Sequence, residues 1–189
     1  MLDQILCIDD DPITLMLCKK VIVKSSFSNE IITSQNGEEA LSYFNTIKYT
    51  NNKNKQIPQP QLIFLDLNMP VMGGWEFLDY FNSEEFSEFN TIKVVVLSST
   101  IDPEDLEKSK QYPMVIDFLS KPISQSMLEY LKNKLKSKKL IDDENKLSLK
   151  DSNLLLEILN QEFEDHDEII NKMLKDNEKL TIVLDTTPC

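Results

Sequence analysis

The chain has 189 residues, with 32 acidic side chains against 20 basic ones, and every basic one is Lys. A net charge of −12 argues against sequence-independent nucleic-acid binding, which needs clustered cations for the phosphate backbone. Without Arg the chain also lacks the bidentate fork for phosphate or guanine.

Length allows one domain of about 100–150 residues and an extension. No apolar run reaches the roughly 18 residues of a membrane span. The start, Met1-Leu2-Asp3-Gln4, has no basic segment leading into an apolar one, so no secretory signal is expected. Cys7, Cys18 and Cys189 are widely spaced, with no CxxC. That excludes a disulfide framework as the basis of the fold and makes a reducing cytoplasm the expected setting. The charge divides unevenly: residues 1–140 carry −4 and residues 141–189 carry −8.

In chain order, Ile5–Ile8 is an apolar run ending in Asp9-Asp10-Asp11. Asp11-Pro12 then opens a helical pattern over Ile13–Val23, with Asp11 as cap and Pro12 in the first turn. Glu30–Thr33 reads as a strand, Asn36-Gly37 as a turn, and Glu38–Ile47 as a helix burying Ala40, Leu41, Phe44 and Ile47. Lys48–Gln61, rich in Asn, Gln, Lys and Pro, reads as a long surface loop. Leu62–Leu65 is a buried strand ended by Asp66, and Trp75–Phe81 a helix whose Trp75, Phe77 and Leu78 read as core. Strands over Ile92–Leu97 and Val115–Leu119 alternate with helices over Pro103–Gln111 and Ser124–Leu135. Apolar strands alternating with helices predict a five-stranded parallel sheet, doubly wound, of the α/β class.

In such sheets the working site lies beyond the carboxyl ends of the strands. Asp9, Asp10 and Asp11, then Asp66, then Ser98-Ser99-Thr100, then Lys121-Pro122 stand at those ends. Converging carboxylates repel unless a cation joins them, and an all-oxygen set suits a hard ion such as Mg²⁺. A hydroxyl and an ammonium beside them suit a phosphoryl group. No glycine-rich phosphate loop accompanies the set, so a nucleotide site is disfavoured. An Asp carboxylate can itself accept a phosphoryl group covalently.

Four segments, Ile8-Asp9-Asp10-Asp11-Pro12, Phe64 through Gly74, Val96-Leu97-Ser98-Ser99 and Phe118-Leu119-Ser120-Lys121-Pro122, together resemble the receiver domain of two-component response regulators, over roughly residues 3–138. The resemblance implies a flavodoxin-like receiver. It implies Asp66 as phospho-acceptor and a Mg²⁺ site of Asp9, Asp10, Asp66 and the Asn68 carbonyl. It further implies Lys121 on the phosphoryl oxygens, Ser98 as the switch hydroxyl and Phe118 as the aromatic that follows it. Ser99 is larger and more polar than the small residue the family often carries there, and Phe118 lacks a phenol. Ser99 and Thr100 would border the phosphoryl group. The donor implied is a phosphohistidine on a histidine kinase or histidine phosphotransfer protein, with an unidentified protein downstream and no membrane. The altered surface would span residues 102–111 and 118–134. Such a chain is a signalling phospho-acceptor that promotes its own phosphorylation and dephosphorylation, rather than a metabolic enzyme.

The organisation expected is a receiver over 1–138, a linker over 139–150 and an acidic, mainly helical extension over 151–189. Apolar positions from Leu154 to Leu180, interrupted by acids from Glu162 to Glu168, fit one helix or two, followed by the short run Thr181–Leu184. About 40 residues bury little core alone, so the extension should dock on the receiver, form a homodimer or bind a partner. It has no basic face, so no DNA-binding output is expected. His166, in Glu164-Asp165-His166-Asp167, reads as a solvated residue. The alternative function is a phosphorylation-independent scaffold acting through the extension. An aspartate-nucleophile phosphatase is disfavoured because Asn68 stands where a second carboxylate would work.

Overall fold

Short, largely continuous apolar runs build the central strands of a five-stranded set: β1 (Leu2–Ile8), β2 (Ser28–Ser34), β3 (Leu62–Asp66), β4 (Lys93–Ser98) and β5 (Val115–Ser120). They pair in parallel in the order β2-β1-β3-β4-β5. Five helices connect or follow them: α1 (Pro12–Lys24), α2 (Gly37–Asn51), α3 (Gly74–Phe81), α4 (Pro103–Ser109) and α5 (Gln125–Glu144). This doubly wound parallel sheet is the one the sequence pattern predicts. The computed structural model describes residues 1–51, 57–100 and 102–144. It separates Met1–Leu135 from a second unit beginning at Lys136. The extension over 151–189 lies outside the described residues.

The pleat sends successive side chains to opposite faces, and each face has its own core. Leu6, Ile8, Ile63, Leu65 and Val94 pack with Phe44 of α2 and Phe77 and Phe81 of α3. Ile5, Cys7, Leu62, Phe64, Val95 and Leu97 pack with Leu15, Cys18 and Ile22 of α1 and Leu128 and Leu131 of α5. Each such side chain, fully buried, contributes about 1.5–3 kcal/mol of transfer free energy. Cys7 and Cys18 are free thiols within the second core. Burial pushes the Cys18 thiol up to about 11 and the Cys7 thiol up as well, so both are inert thiols at neutral pH.

The structure differs from the sequence pattern in four places. β1 begins at Leu2 rather than Ile5, because buried Gln4 satisfies its amide by donating to Glu30 at 2.8 Å and accepting from the Tyr43 hydroxyl at 3.0 Å. A 3₁₀ segment, Glu84–Phe89, follows α3 unanticipated. Its Phe86 and Phe89, three residues apart, drop into the first core, where Phe89 meets Phe44 at a ring separation of 4.9 Å. α2 runs on to Asn51, into the stretch read as loop, and α5 continues through residues 139–144 of the stretch read as linker.

α4 is the least embedded helix. Asp102 caps it by accepting from the Glu104 N–H at 2.9 Å, and Ser109 is its one buried residue. Just beyond it, buried Tyr112 stacks on Trp75 of α3 at 5.7 Å and donates to Asp79 at 2.7 Å. Burial, and then the bond to Asp79, push the Tyr112 phenol from 10.0 up to about 12. The folded state holds this proton more tightly than the unfolded chain does. Its contribution is therefore whole below pH 10 and is lost as the pH climbs to about 12. Chemical denaturation should show wild type more stable than Tyr112→Phe by about 1 kcal/mol at neutral pH. The gap should narrow across that alkaline window, and a gap that stays constant there contradicts the buried bond.

Candidate functional site

The parallel register assembles the site. Ile8 pairs with Leu65, so the next residues, Asp9 and Asp66, leave adjacent strands side by side. Asp66 pairs with Leu97, which places Ser98 one step beyond it on β4. Ser98 pairs with Ser120, and the Lys121 N–H donates to the Ser98 carbonyl at 2.8 Å, fixing where the lysine starts. Phe118 pairs with Val96 and packs with Val96 and Leu67.

Lys121 reaches back across the edge. Its Nζ lies 2.6 Å from Asp9 Oδ2 and 3.0 Å from Asp66 Oδ1. Asp66 Oδ1 also accepts from the Leu67 N–H at 2.9 Å, and Asp9 Oδ1 accepts from the Asp11 N–H at 3.0 Å. Asp9 and Asp66 are buried while Asp10 is exposed. Burial raises the Asp9 pKa, only partly opposed by the hydrogen bond from Lys121 and the Asp11 N–H. For Lys121, burial works to lower the pKa, but the bonds to Asp9 and Asp66 outweigh it and the net shift is upward. The ammonium is therefore charged at neutral pH.

Among the described residues, Asp9, Asp10 and Asp66 can each turn one oxygen to within 4.8 Å of the others. At that separation two carboxylates repel by roughly 3–4 kcal/mol at an effective dielectric of about 20. A divalent cation offsets such repulsion, and an all-oxygen donor set with one exposed member fits a hard ion that keeps several waters. Mg²⁺ therefore suits these residues chemically.

Asp11, by contrast, caps α1, accepting from the N–H groups of Ile13 and Thr14 and from the Thr14 hydroxyl. Asn68, Ser99 and Thr100 lie exposed at the rim, past the ends of β3 and β4. Two supports of the site escape motif reading. One is the Leu67 N–H, since any residue type offers one. The other is Gly74, where an added Cβ would stand 2.4 Å from the Asp66 carbonyl oxygen. The paired glycines hint at the second.

The response regulator receiver domain model matches residues 5–132, and the chain belongs to that family. A two-component response regulator from Cytophaga hutchinsonii superposes with a TM-score of 0.64 at 31% identity, covering 72% of this chain and 98% of that one. One from Legionella pneumophila does so at 0.57 and 30%, covering 72% and 99%. The transcriptional regulatory protein HptR of Staphylococcus aureus is 30% identical over 136 residues, 71% of this chain and 46% of that protein. Hybrid signal transduction histidine kinase C of Dictyostelium discoideum is 26% identical over 135 residues, 69% of this chain and 10% of that protein. The chain thus spans under half the length of these curated relatives. Among the described residues, no helix is long and apolar enough to cross a membrane.

Replacing Lys121 by Ala leaves two buried carboxylates facing each other. Thermal or chemical denaturation should show a loss short of the about 3–5 kcal/mol seen when a fully buried pair is broken, since the Lys121 side chain is 19% exposed. Millimolar Mg²⁺ should recover part of that loss. A variant as stable as wild type without Mg²⁺ contradicts the bridging role.

Proposed function

We propose that this receiver accepts a phosphoryl group from a phosphohistidine onto Asp66 and so changes a contact with another protein. The observation that carries the proposal is the double engagement of Asp66 Oδ1, by the Leu67 N–H and the Lys121 ammonium. It engages one oxygen of the carboxylate and leaves the other, Oδ2, as the one to meet the incoming phosphorus. An Oδ2–P bond forms as the N–P bond of the donor breaks, and the imidazole leaves with the electron pair and takes up a proton. Lys121 balances charge on the phosphoryl oxygens, and Asp9 holds Lys121 in reach.

Asp9, Asp10, Asp66 and the Asn68 carbonyl would hold Mg²⁺, which supplies charge neutralisation when bound. Ser98 is the hydroxyl that turns to the phosphoryl group, and Phe118 follows it inward; Ser99 and Thr100 set water access at the rim. A phosphoryl group adds about −1.5 to −2 charge to a buried acidic edge, and that is the driving force for rearrangement.

The donor is a histidine kinase or histidine phosphotransfer protein. Ile13, Met16 and Leu17 form an exposed apolar stripe on the first turns of α1, beside Asp10 and Asp11, and offer such a protein a footing next to the acceptor. The organisation proposed is a receiver over 1–138, a linker over 139–150 whose first residues continue α5, and an output extension. The acidity of residues 151–189 directs output to proteins rather than DNA. The chain is a signalling switch working in a reducing cytoplasm, not a metabolic enzyme.

Incubation with acetyl phosphate and Mg²⁺ should give one phosphoryl adduct by intact mass, stable to acid and labile to base. The adduct should be lost with EDTA and in Asp66→Ala. Its persistence in Asp66→Ala contradicts the assignment, and its absence from wild type contradicts the relay.

A further inference from the structure

We propose that Trp75 carries the state of the Asp66 site to α4 through a clasp that phosphorylation opens, a proposal that rests on Asp66 being the acceptor. Trp75 and Asp79 are four residues apart and share one face of α3. Lys108 and Tyr112, also four apart, come from the far end of α4 and the turn after it. Lys108 Nζ sits 4.5 Å from the Trp75 ring centroid, the Tyr112 ring stacks on the same indole at 5.7 Å, and the Tyr112 hydroxyl holds Asp79 at 2.7 Å. An indole with a cation and a second ring upon it is a favourable, partly desolvated arrangement.

α4 has little else to hold it. Ser109 is its only buried residue, and its one large hydrophobe, Leu106, is 41% exposed. An element with so few buried apolar contacts lies at the low end of local stability, where moving parts are drawn from. Small contacts at its end therefore decide where it rests.

Trp75, partly buried, also packs against the Leu67–Val96–Phe118 cluster. Leu67 is bonded through its N–H to Asp66 Oδ1, and the same oxygen takes Lys121. A phosphoryl group on Asp66 redistributes the charge on that carboxylate and recruits Lys121 outward. Both effects bear on Leu67 and on the ring of Phe118, and so on the wall that Trp75 leans against. A shifted indole loses Lys108 or Tyr112, and α4 comes free. The clasp is thus a two-state element whose closed form belongs to the unphosphorylated receiver.

The chain has a single Trp, so its emission reports the clasp directly. On the full chain, acetyl phosphate with Mg²⁺ should shift Trp75 emission. It should also raise amide exchange across residues 102–112 by about two- to fivefold, the size of one lost cation–π contact. Without phosphodonor, Lys108→Gln and Tyr112→Phe should each raise that exchange by a similar factor, and Lys108→Arg should leave it near wild type. All three variants should still take up one phosphoryl group. A full adduct by intact mass with unchanged emission and unchanged α4 exchange overturns the transmission and leaves Asp66 as acceptor. Equal α4 exchange in Lys108→Gln, Tyr112→Phe and unphosphorylated wild type overturns the clasp. No adduct in wild type overturns the acceptor reading and this inference together.

Discussion

Two carboxylates, Asp9 and Asp66, are buried at neighbouring strand ends, and one lysine from the far edge of the sheet reaches both at 2.6 and 3.0 Å. β3 must lie between β1 and β4 to set the two acids side by side, and β5 must border β4 to deliver Lys121. The order β2-β1-β3-β4-β5 is thus also the wiring of the site. A slip of one residue in any of these pairings would send an acid, the Ser98 hydroxyl or Lys121 out of line with the others. The two apolar cores, which hold the register, are what keep the charged edge assembled.

Under the proposed function, the same bridge is what would let a polar edge act as a sensor. Lys121 is held by two negative partners at once, and its pKa is raised by them despite burial. Adding negative charge at Asp66 changes the balance between those partners rather than creating a contact from nothing. The Leu67 N–H on Asp66 Oδ1 and the Leu67 side chain in the cluster with Phe118 give the change a short route into packed side chains. Packed clusters answer such changes by switching between arrangements, because they are close-packed and resist gradual deformation.

Much of this was legible in the chain itself. Runs such as Leu62–Leu65 and Val94–Leu97 are apolar at every position, which marks strands covered on both faces. Asp66 and Ser98 stand directly after them, and Lys121 follows the mixed run Val115–Ser120. The start of β1 was hidden because Gln4 is polar yet buried, and its partners Glu30 and Tyr43 lie far along the chain. The 3₁₀ segment was hidden because Phe86 and Phe89 alternate with acids and a serine at a spacing of three, too short for a helical stripe to show. The Trp75–Lys108–Tyr112–Asp79 group could not be seen at all, since it depends on where α4 rests against α3. Sequence patterning speaks to elements and to motifs at their ends. Contacts between elements distant in sequence need the packing.

Reductive trapping tests the central claim most directly. Borohydride converts an acyl phosphate to an alcohol, so an aspartyl phosphate becomes homoserine. After brief exposure of the full chain to acetyl phosphate and Mg²⁺, borohydride treatment and peptide sequencing should find homoserine at position 66 and nowhere else. Homoserine at position 9 or 10, or none at position 66 under conditions that label a known receiver, contradicts the account.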